Sequence, residues 1–109
     1  MKFNQILELI EKRYSLYFNE YNINDLDIFL QGCHVALYLD DNENNSPSVF
    51  YKFCEWLLEY YSIPNYIPEE SSSYEKILLF YNGSHEKAVK TFFKLYKQWH
   101  KEEFGEDAW

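Results

Sequence analysis

A chain of 109 residues is long enough for one domain with its own hydrophobic core. Eighteen acidic residues against ten basic ones give a formal net charge of −8, which disfavours nucleic acid and anionic membranes as partners and favours a basic protein. Two cysteines, no recognisable signal peptide and no apolar run near the roughly 20 residues that cross a bilayer indicate a cytoplasmic protein with reduced thiols.

The first half of the chain predicts two helices joined by an aromatic segment. Asn4 is the predicted N-cap of the first helix, and apolar residues follow it at helical spacing. Residues 14–22 hold four aromatic side chains without a clean period, so we predict an irregular connection. Asn24 is the predicted cap of the second helix, because apolar residues recur at intervals of three and four over residues 26–37.

The second half predicts three more helices from their caps. A serine–proline pair at residues 46–47 opens the third helix, and Pro64 ends it. A capping box at residues 72–75 opens a short fourth helix over residues 74–81, which an Asn–Gly pair closes. Ser84 is the predicted cap of the last helix, whose lysines recur on the face opposite its apolar residues.

These elements predict a mainly α fold with about five helices in one compact domain. An α+β alternative, with short strands at 34–39 and 76–81, stays open, because apolar and polar residues alternate in the first stretch and an apolar run fills the second. The expected core residues are Leu7, Ile10, Phe29, Leu30, Phe53, Leu57, Phe92, Tyr96 and Trp99.

Residues with chemical reactivity form no catalytic or metal-binding motif. Cys33 and His34 are neighbours in a predicted helix, where their side chains point about 100° apart and cannot form a nucleophile–base pair. We interpret Cys33 as a core residue and His34 as a residue of the polar face. Cys54, His85 and His100 lack metal-ligand spacing, and no glycine-rich phosphate loop is present. We therefore predict no enzyme, no cofactor and no metal site.

Five lysines lie on one face of the last predicted helix. Residues 87–101 contain these lysines and no acidic residue. Such a row suits phosphate binding, but the rest of the chain would repel DNA. We interpret the row as a solvated helix face whose charges lie near the acidic body of the molecule.

Acidic residues are concentrated in the middle of the chain. Residues 20–75 hold eleven of them against Lys52 alone. Predicted loops place carboxylates next to tyrosines, whose rings pack while their hydroxyls tolerate water. The predicted partner-binding residues are Tyr38, Asp40, Asp41, Glu43, Tyr60, Tyr66, Glu69 and Glu70. Two interpretations stay open: a solubility device, or a recognition patch in which acids steer a basic partner and tyrosines anchor it.

Four segments resemble the motifs of one protein family. Residues 12–19 are similar to a K-R-P-S-[ML]-Y-[LI]-G segment, and residues 26–37 to L-x-x-F-[LI]-x-G-Y-x-x-A-L. Residues 50–61 resemble F-x-x-F-x-x-W-[LV]-x-x-[RY]-[YF], and residues 73–95 resemble S-W-x-x-I-[IL] followed by E-x-A-[FV]-x-x-F-F-x-L. The chain has Tyr14, Asn19, Cys33 and Tyr74 where these motifs have proline, glycine, tyrosine and tryptophan.

The resemblance is to short, largely uncharacterised bacterial proteins, some of which lie beside polymorphic or contact-dependent toxins and look like their immunity proteins. It implies a helical fold without catalytic residues and an inhibitory role. We hypothesise that the chain binds and neutralises a cognate toxin domain, for example a basic nuclease, as a monomer or a homodimer. The alternative is a non-enzymatic structural or adaptor protein that self-associates through exposed aromatic residues.

Overall fold

The computed structural model describes residues 3–39, 47–61 and 74–109, which are almost entirely helical. The helices are α1 (Phe3–Lys12), α2 (Tyr14–Tyr17), α3 (Ile23–Leu39), α4 (Pro47–Tyr60), α5 (Tyr74–Asn82) and α6 (His85–Phe104). The mainly α fold is confirmed. Residues 34–39 end α3 and residues 76–81 lie within α5, so the α+β alternative is wrong. No helix in the described ranges is long and apolar enough to cross a membrane.

α6 forms the centre of the fold, because it packs against α3, α4 and α5. Its buried face is largely aromatic. The Phe53 ring of α4 lies between two of these rings, with centroid distances of 5.6 Å to Phe92 and 5.0 Å to Tyr96. Aromatic rings in edge-to-face contact therefore supply much of the apolar burial that holds the helices together.

Eight of the nine expected core residues are buried. Phe29 is the exception, with 38% of its surface exposed. Its ring packs against the connection before α3, with centroid distances of 6.4 Å to Tyr17 and 5.6 Å to Phe18. Phe29 thus covers the aromatic segment from outside instead of entering the core.

The buried face of α3 differs from the expected one. Over residues 23–36, where the structure describes the side chains, it consists of Ile23, Leu26, Asp27, Leu30 and His34. Ile23, Leu26, Leu30 and His34 follow each other at intervals of three and four, and Asp27 lies next to Leu26, so all five share one side of the helix. Leu26 and Leu30 were expected on this face, but Phe29 is exposed and Cys33 is only half-buried, because the polar Asp27 and His34 occupy buried positions instead. The assignment of the histidine to the polar face was therefore wrong.

Both predicted asparagine caps were also wrong. The Asn22 side-chain Oδ1 accepts hydrogen bonds from the backbone N–H groups of Asn24 (2.9 Å) and Asp25 (3.1 Å), so the cap of α3 lies two residues earlier than expected. Asn4 lies inside α1 and joins it to α6. Its Oδ1 accepts from the Tyr96 hydroxyl at 2.6 Å, and its Nδ2 donates to His100 Nε2 at 3.1 Å.

The predicted end of α5 and the predicted start of α6 are both present. Gly83 has a φ of 79°, a left-handed conformation that glycine adopts without a steric penalty. Ser84 Oγ accepts from the backbone N–H of Lys87 at 3.3 Å, as the capping prediction required. Asn82 Oδ1 accepts from Thr91 Oγ1 at 2.9 Å and ties the two helices together. These contacts fix the position of the last residues of α5.

The aromatic connection contains one short helix that the sequence did not indicate. Tyr14 is buried, and its ring stacks on Phe18 and on Tyr21 at 4.6 Å each. The Tyr14 hydroxyl accepts from the backbone N–H of Asn22 at 3.2 Å. The aromatic residues of this segment therefore serve mainly to hold α2 at the start of α3.

Candidate functional site

Most of the predicted partner-binding residues lie outside the described ranges. These are Asp40, Asp41, Glu43, Tyr66, Glu69 and Glu70. Tyr38 lies in the last turn of α3. Tyr60 ends α4, and half of its surface is exposed. Among the eight, it is Tyr60 whose surroundings the structure describes.

Tyr60 belongs to a continuous row of aromatic side chains, which we call the aromatic row. In spatial order the row consists of Trp56, Tyr60, Tyr61, Tyr81 and Phe80. Successive ring centroids are 5.2, 5.0, 4.6 and 5.1 Å apart. The row joins the C-terminal end of α4 to that of α5, and every ring in it contacts the next.

Local sequence explains how the row forms. Trp56 and Tyr60 are four residues apart in α4, so their rings stack along one edge of that helix, beside the buried Leu57. The Tyr61 backbone N–H donates to the Leu57 carbonyl at 3.1 Å, which continues the helical turn. Burial raises the pKa of the Tyr61 hydroxyl, and a hydrogen bond with Asn82 opposes that rise. This contact places Tyr61 beside the end of α5.

The aromatic row is unusually exposed for rings of this size. Phe80 is 80% exposed, Tyr81 is 51% exposed and Tyr60 is 50% exposed. A contiguous patch of large apolar side chains exposed to solvent is typical of interaction surfaces, whereas single exposed apolar residues are common on any protein. Tyrosine and tryptophan are also the residue types that contribute most to binding at protein interfaces.

Two glutamates on α4 run beside the row. Glu55 and Glu59 are exposed and four residues apart, next in sequence to Trp56 and Tyr60. Among the described residues, neither glutamate forms an ion pair. Their negative charges therefore face solvent on the helix that also carries Trp56 and Tyr60, where they attract a positively charged surface.

The lysine row of α6 differs from these two glutamates, because three of its lysines form ion pairs. Lys97 Nζ lies 2.6 Å from Glu11 Oε1 and 5.2 Å from the centroid of the Trp109 ring. Lys90 pairs with Glu86 at 3.5 Å, and Lys101 pairs with Asp107 at 3.6 Å. These pairs agree with the interpretation of a helix face whose charges are balanced within the molecule. They leave less free positive charge for phosphate groups.

A second feature is a polar cavity of about 240 Å³ between α3, α4 and α5. Its walls are formed by Asp27, Gln31, His34, Val35, Phe50, Tyr51, Cys54 and Tyr74. Burial raises the pKa of the Tyr74 hydroxyl well above its ordinary value, and the nearby Asp27 carboxylate raises it further. Burial also raises the pKa of Glu75, the residue that follows, and Asp27 adds to that rise. The cavity is thus set in a negatively charged part of the interior.

The described cysteines and His34 lie in partly or fully buried surroundings. His34 is buried next to aromatic rings, with centroid distances of 5.9 Å to Phe50 and 5.2 Å to Tyr51. Burial raises the pKa of the Cys33 thiol and of the Cys54 thiol, which opposes formation of the nucleophilic thiolate. No group of three or more potential metal ligands occurs within the described residues.

The sequence indicated some parts of these features and missed others. Tyr60 was predicted from its position in an acidic, tyrosine-rich stretch. Phe80 and Tyr81 were missed, because only the packing of α5 against α4 brings them to Tyr61. Asp27 was also missed, although its position four residues before Gln31 and seven before His34 is a usable signal of a shared helix face.

Exposed stacked rings, unpaired carboxylates and a small polar cavity are features that suit non-covalent binding. No protein-family model matches the sequence, and neither a curated protein nor a solved structure matches it. The residues of the aromatic row and of the cavity are therefore the basis for assigning a function.

Proposed function

We propose that this protein is an immunity protein that binds and neutralises a bacterial toxin domain in the cytoplasm of the producing cell. The observation that carries the proposal is the exposed aromatic row beside the unpaired Glu55 and Glu59. The family resemblance of the helical segments points in the same direction. Inhibition requires binding alone, so the protein needs no catalytic group of its own.

The aromatic row would supply most of the affinity. Tyr60 and Tyr81 each present half of a ring surface to solvent, and their neighbours hold them in place. Side chains that are already ordered lose little conformational entropy when a partner covers them. Each of these two residues is therefore expected to act as an anchor in the interface.

The acidic residues would determine how fast the partner arrives. A nuclease toxin is basic where it holds its anionic substrate, so a negatively charged inhibitor is attracted to that surface. Glu55 and Glu59 lie beside the anchors, and the net charge of −8 extends the attraction over the molecule. Asp40, Asp41, Glu43, Glu69 and Glu70 remain predicted contributors to this steering, with Tyr38 and Tyr66 as further anchors.

The anchors are tested with the toxin domain encoded by the neighbouring reading frame. We expect Tyr60→Ala combined with Tyr81→Ala to weaken binding by at least roughly 30-fold in calorimetry, because anchor residues contribute about 2 kcal/mol or more. The matched control is Tyr17→Ala, which removes an equally exposed tyrosine on α2. Equal affinities for the double variant and the natural chain would refute the role of the row.

The steering residues are tested by charge reversal. Glu55→Lys with Glu59→Lys should lower the association rate constant by roughly tenfold at low salt and flatten its dependence on ionic strength. Glu102→Lys with Glu103→Lys reverses two exposed charges at the far end of α6 and serves as the control. A similar loss of rate in both variants would mean that only net charge matters.

A structural or adaptor protein that self-associates is the second candidate. Phe80 is 80% exposed and its row could be covered by a second copy. The charge of −8 on each copy opposes this contact, and added salt should then promote it. Sedimentation equilibrium over a wide concentration range distinguishes the candidates: a dimer that Phe80→Ser disrupts would favour self-association over toxin binding.

A further inference from the structure

We propose that the polar cavity between α3, α4 and α5 is a binding site for a guanidinium or ammonium group on a short apolar stem. This inference does not depend on toxin binding. It concerns a different set of residues from the aromatic row, and it can be tested on the isolated protein.

Two buried oxygen atoms in the cavity, Asp27 Oδ1 and the Tyr74 hydroxyl, lack a hydrogen bond of standard geometry. The two side chains lie close enough for a hydrogen bond with Asp27 to raise the pKa of Tyr74. Asp27 is 7% exposed, and its Oδ2 accepts from Gln31 Nε2 at 3.0 Å, while its Oδ1 accepts none of standard geometry. Tyr74 is 1% exposed, and its hydroxyl makes no hydrogen bond of standard geometry. Buried polar atoms in proteins are nearly always fully paired, so these two incompletely paired oxygens leave a hydrogen-bonding capacity in the cavity that a ligand can use.

The sign of the charge in the cavity selects a cation. Asp27 is acidic, and its charge contributes to the raised pKa of the nearby Glu75 carboxyl group. No lysine or arginine is among the residues that form the cavity wall. An N–H group on a cation would donate to Asp27 Oδ1 and to the Tyr74 oxygen, which satisfies both atoms and compensates the buried charge.

The donor set favours an organic cation over a metal ion. A metal ion takes several ligands, and no group of three potential ligands occurs among the described residues. Aromatic rings form much of the wall instead, with Phe50 5.5 Å from Tyr74 and His34 5.2 Å from Tyr51, measured between centroids. Aromatic faces attract organic cations and also accept an apolar stem.

The entrance to the cavity follows from the exposure of its walls. Gln31, Val35 and Tyr51 are exposed and lie at the rim, whereas Asp27, Cys54 and Tyr74 are buried and lie at the base. A cation that enters at the rim would therefore place its stem against Val35 and Tyr51. Its charged end would reach Asp27.

The direct test is titration of the isolated protein with ethylguanidinium, followed by amide chemical shifts in NMR. We expect saturable shifts in the millimolar range at residues around the cavity, and no saturable shifts with the neutral isostere N-ethylurea. Asp27→Asn should weaken ethylguanidinium binding by at least roughly tenfold, because it removes the charged acceptor. Glu103→Gln removes an exposed acid on α6, away from the cavity wall, and should leave binding unchanged.

Tyr74→Phe provides a second variant that keeps the ring in the core. It should weaken binding by roughly three- to tenfold through loss of one hydrogen-bond acceptor. Circular dichroism verifies that each variant is folded. Equal binding of ethylguanidinium and N-ethylurea, or unchanged binding in both Asp27→Asn and Tyr74→Phe, would overturn the proposal.

A further titration distinguishes an arginine side chain of a partner protein from a free small cation. N-acetyl-arginine-N′-methylamide carries the same guanidinium on a peptide backbone. Binding as tight as that of ethylguanidinium supports an arginine side chain of a protein partner, and binding of ethylguanidinium alone supports a free small cation. Absence of binding by both probes contradicts the cation site and leaves the role of the aromatic row in toxin binding untouched.

Discussion

Glu75 has a carboxyl group that is buried within the first turn of α5, in a part of the interior that already holds Asp27. Burial is the main cause of its raised pKa, and the Asp27 charge adds to it. A hydrogen bond from its own backbone N–H and the charge of the exposed Lys76 act in the opposite direction. The folded chain therefore favours the protonated form of Glu75 more than the unfolded chain does.

Glu75 makes the stability of the fold depend on pH. Between the ordinary pKa of 4.5 and the raised value, the folded state binds more protons than the unfolded state, so its contribution to stability falls as pH rises through this window. We predict that Glu75→Gln is more stable than the natural chain at pH 7, and that this difference shrinks as pH falls towards 4.5. Urea unfolding across this pH range measures it.

The matched control for Glu75 is Glu59→Gln, which removes an exposed acid from α4. Its stability should differ little from that of the natural chain at either end of the pH range, because surface charges contribute little. A gain in Glu75→Gln that stayed constant with pH would show that the effect comes from packing and not from titration.

The helices were predictable in this chain because apolar residues recur at helical spacing in most elements, even where the predicted caps were wrong. Ser84 and Gly83 mark the α5–α6 junction in the sequence and in the structure. The face of α3 was not predictable from apolar residues, because Asp27 and His34 occupy buried positions on it. Hydrophobic spacing is a poor guide wherever a helix buries polar side chains.

The start of α3 provides a test of capping. We predict that Asn22→Ala lowers the free energy of unfolding by about 1 kcal/mol, because two backbone N–H groups lose their acceptor. Asn24→Ala, within the exposed first turn of the helix, should change it by less than about 0.5 kcal/mol. Chemical denaturation of both variants measures these changes. A larger loss of stability in Asn24→Ala than in Asn22→Ala would instead identify Asn24 as the cap.

The contact between α1 and α6 depends on Asn4, the residue that the sequence suggested as an N-cap. Asn4→Ala should destabilise the fold by about 1–3 kcal/mol, because the buried Tyr96 hydroxyl loses its acceptor. Asn19→Ala, at an exposed position after α2, is the control and should have little effect. Thermal unfolding would contradict this account if both variants melted at the same temperature as the natural chain.

At the scale of the whole molecule, the paired lysines and the unpaired glutamates lie on different helices. Lysines of α6 are paired with Glu11, Glu86 and Asp107, whereas Glu55 and Glu59 have no such partners in the described structure. The sequence predicted an acidic, tyrosine-rich surface that includes Tyr60, and the structure places Tyr60 in the aromatic row. It could not predict the complete row, because that row exists only where the ends of α4 and α5 meet.

Hydrogen–deuterium exchange of the protein with and without its toxin domain tests the central claim most directly. The account predicts that peptides covering residues 55–61 and 79–82 exchange more slowly in the complex, because the partner covers the aromatic row. Peptides from the lysine-bearing part of α6, over residues 87–101, should change little. Protection confined to α6, with unchanged exchange around the row, would contradict the account.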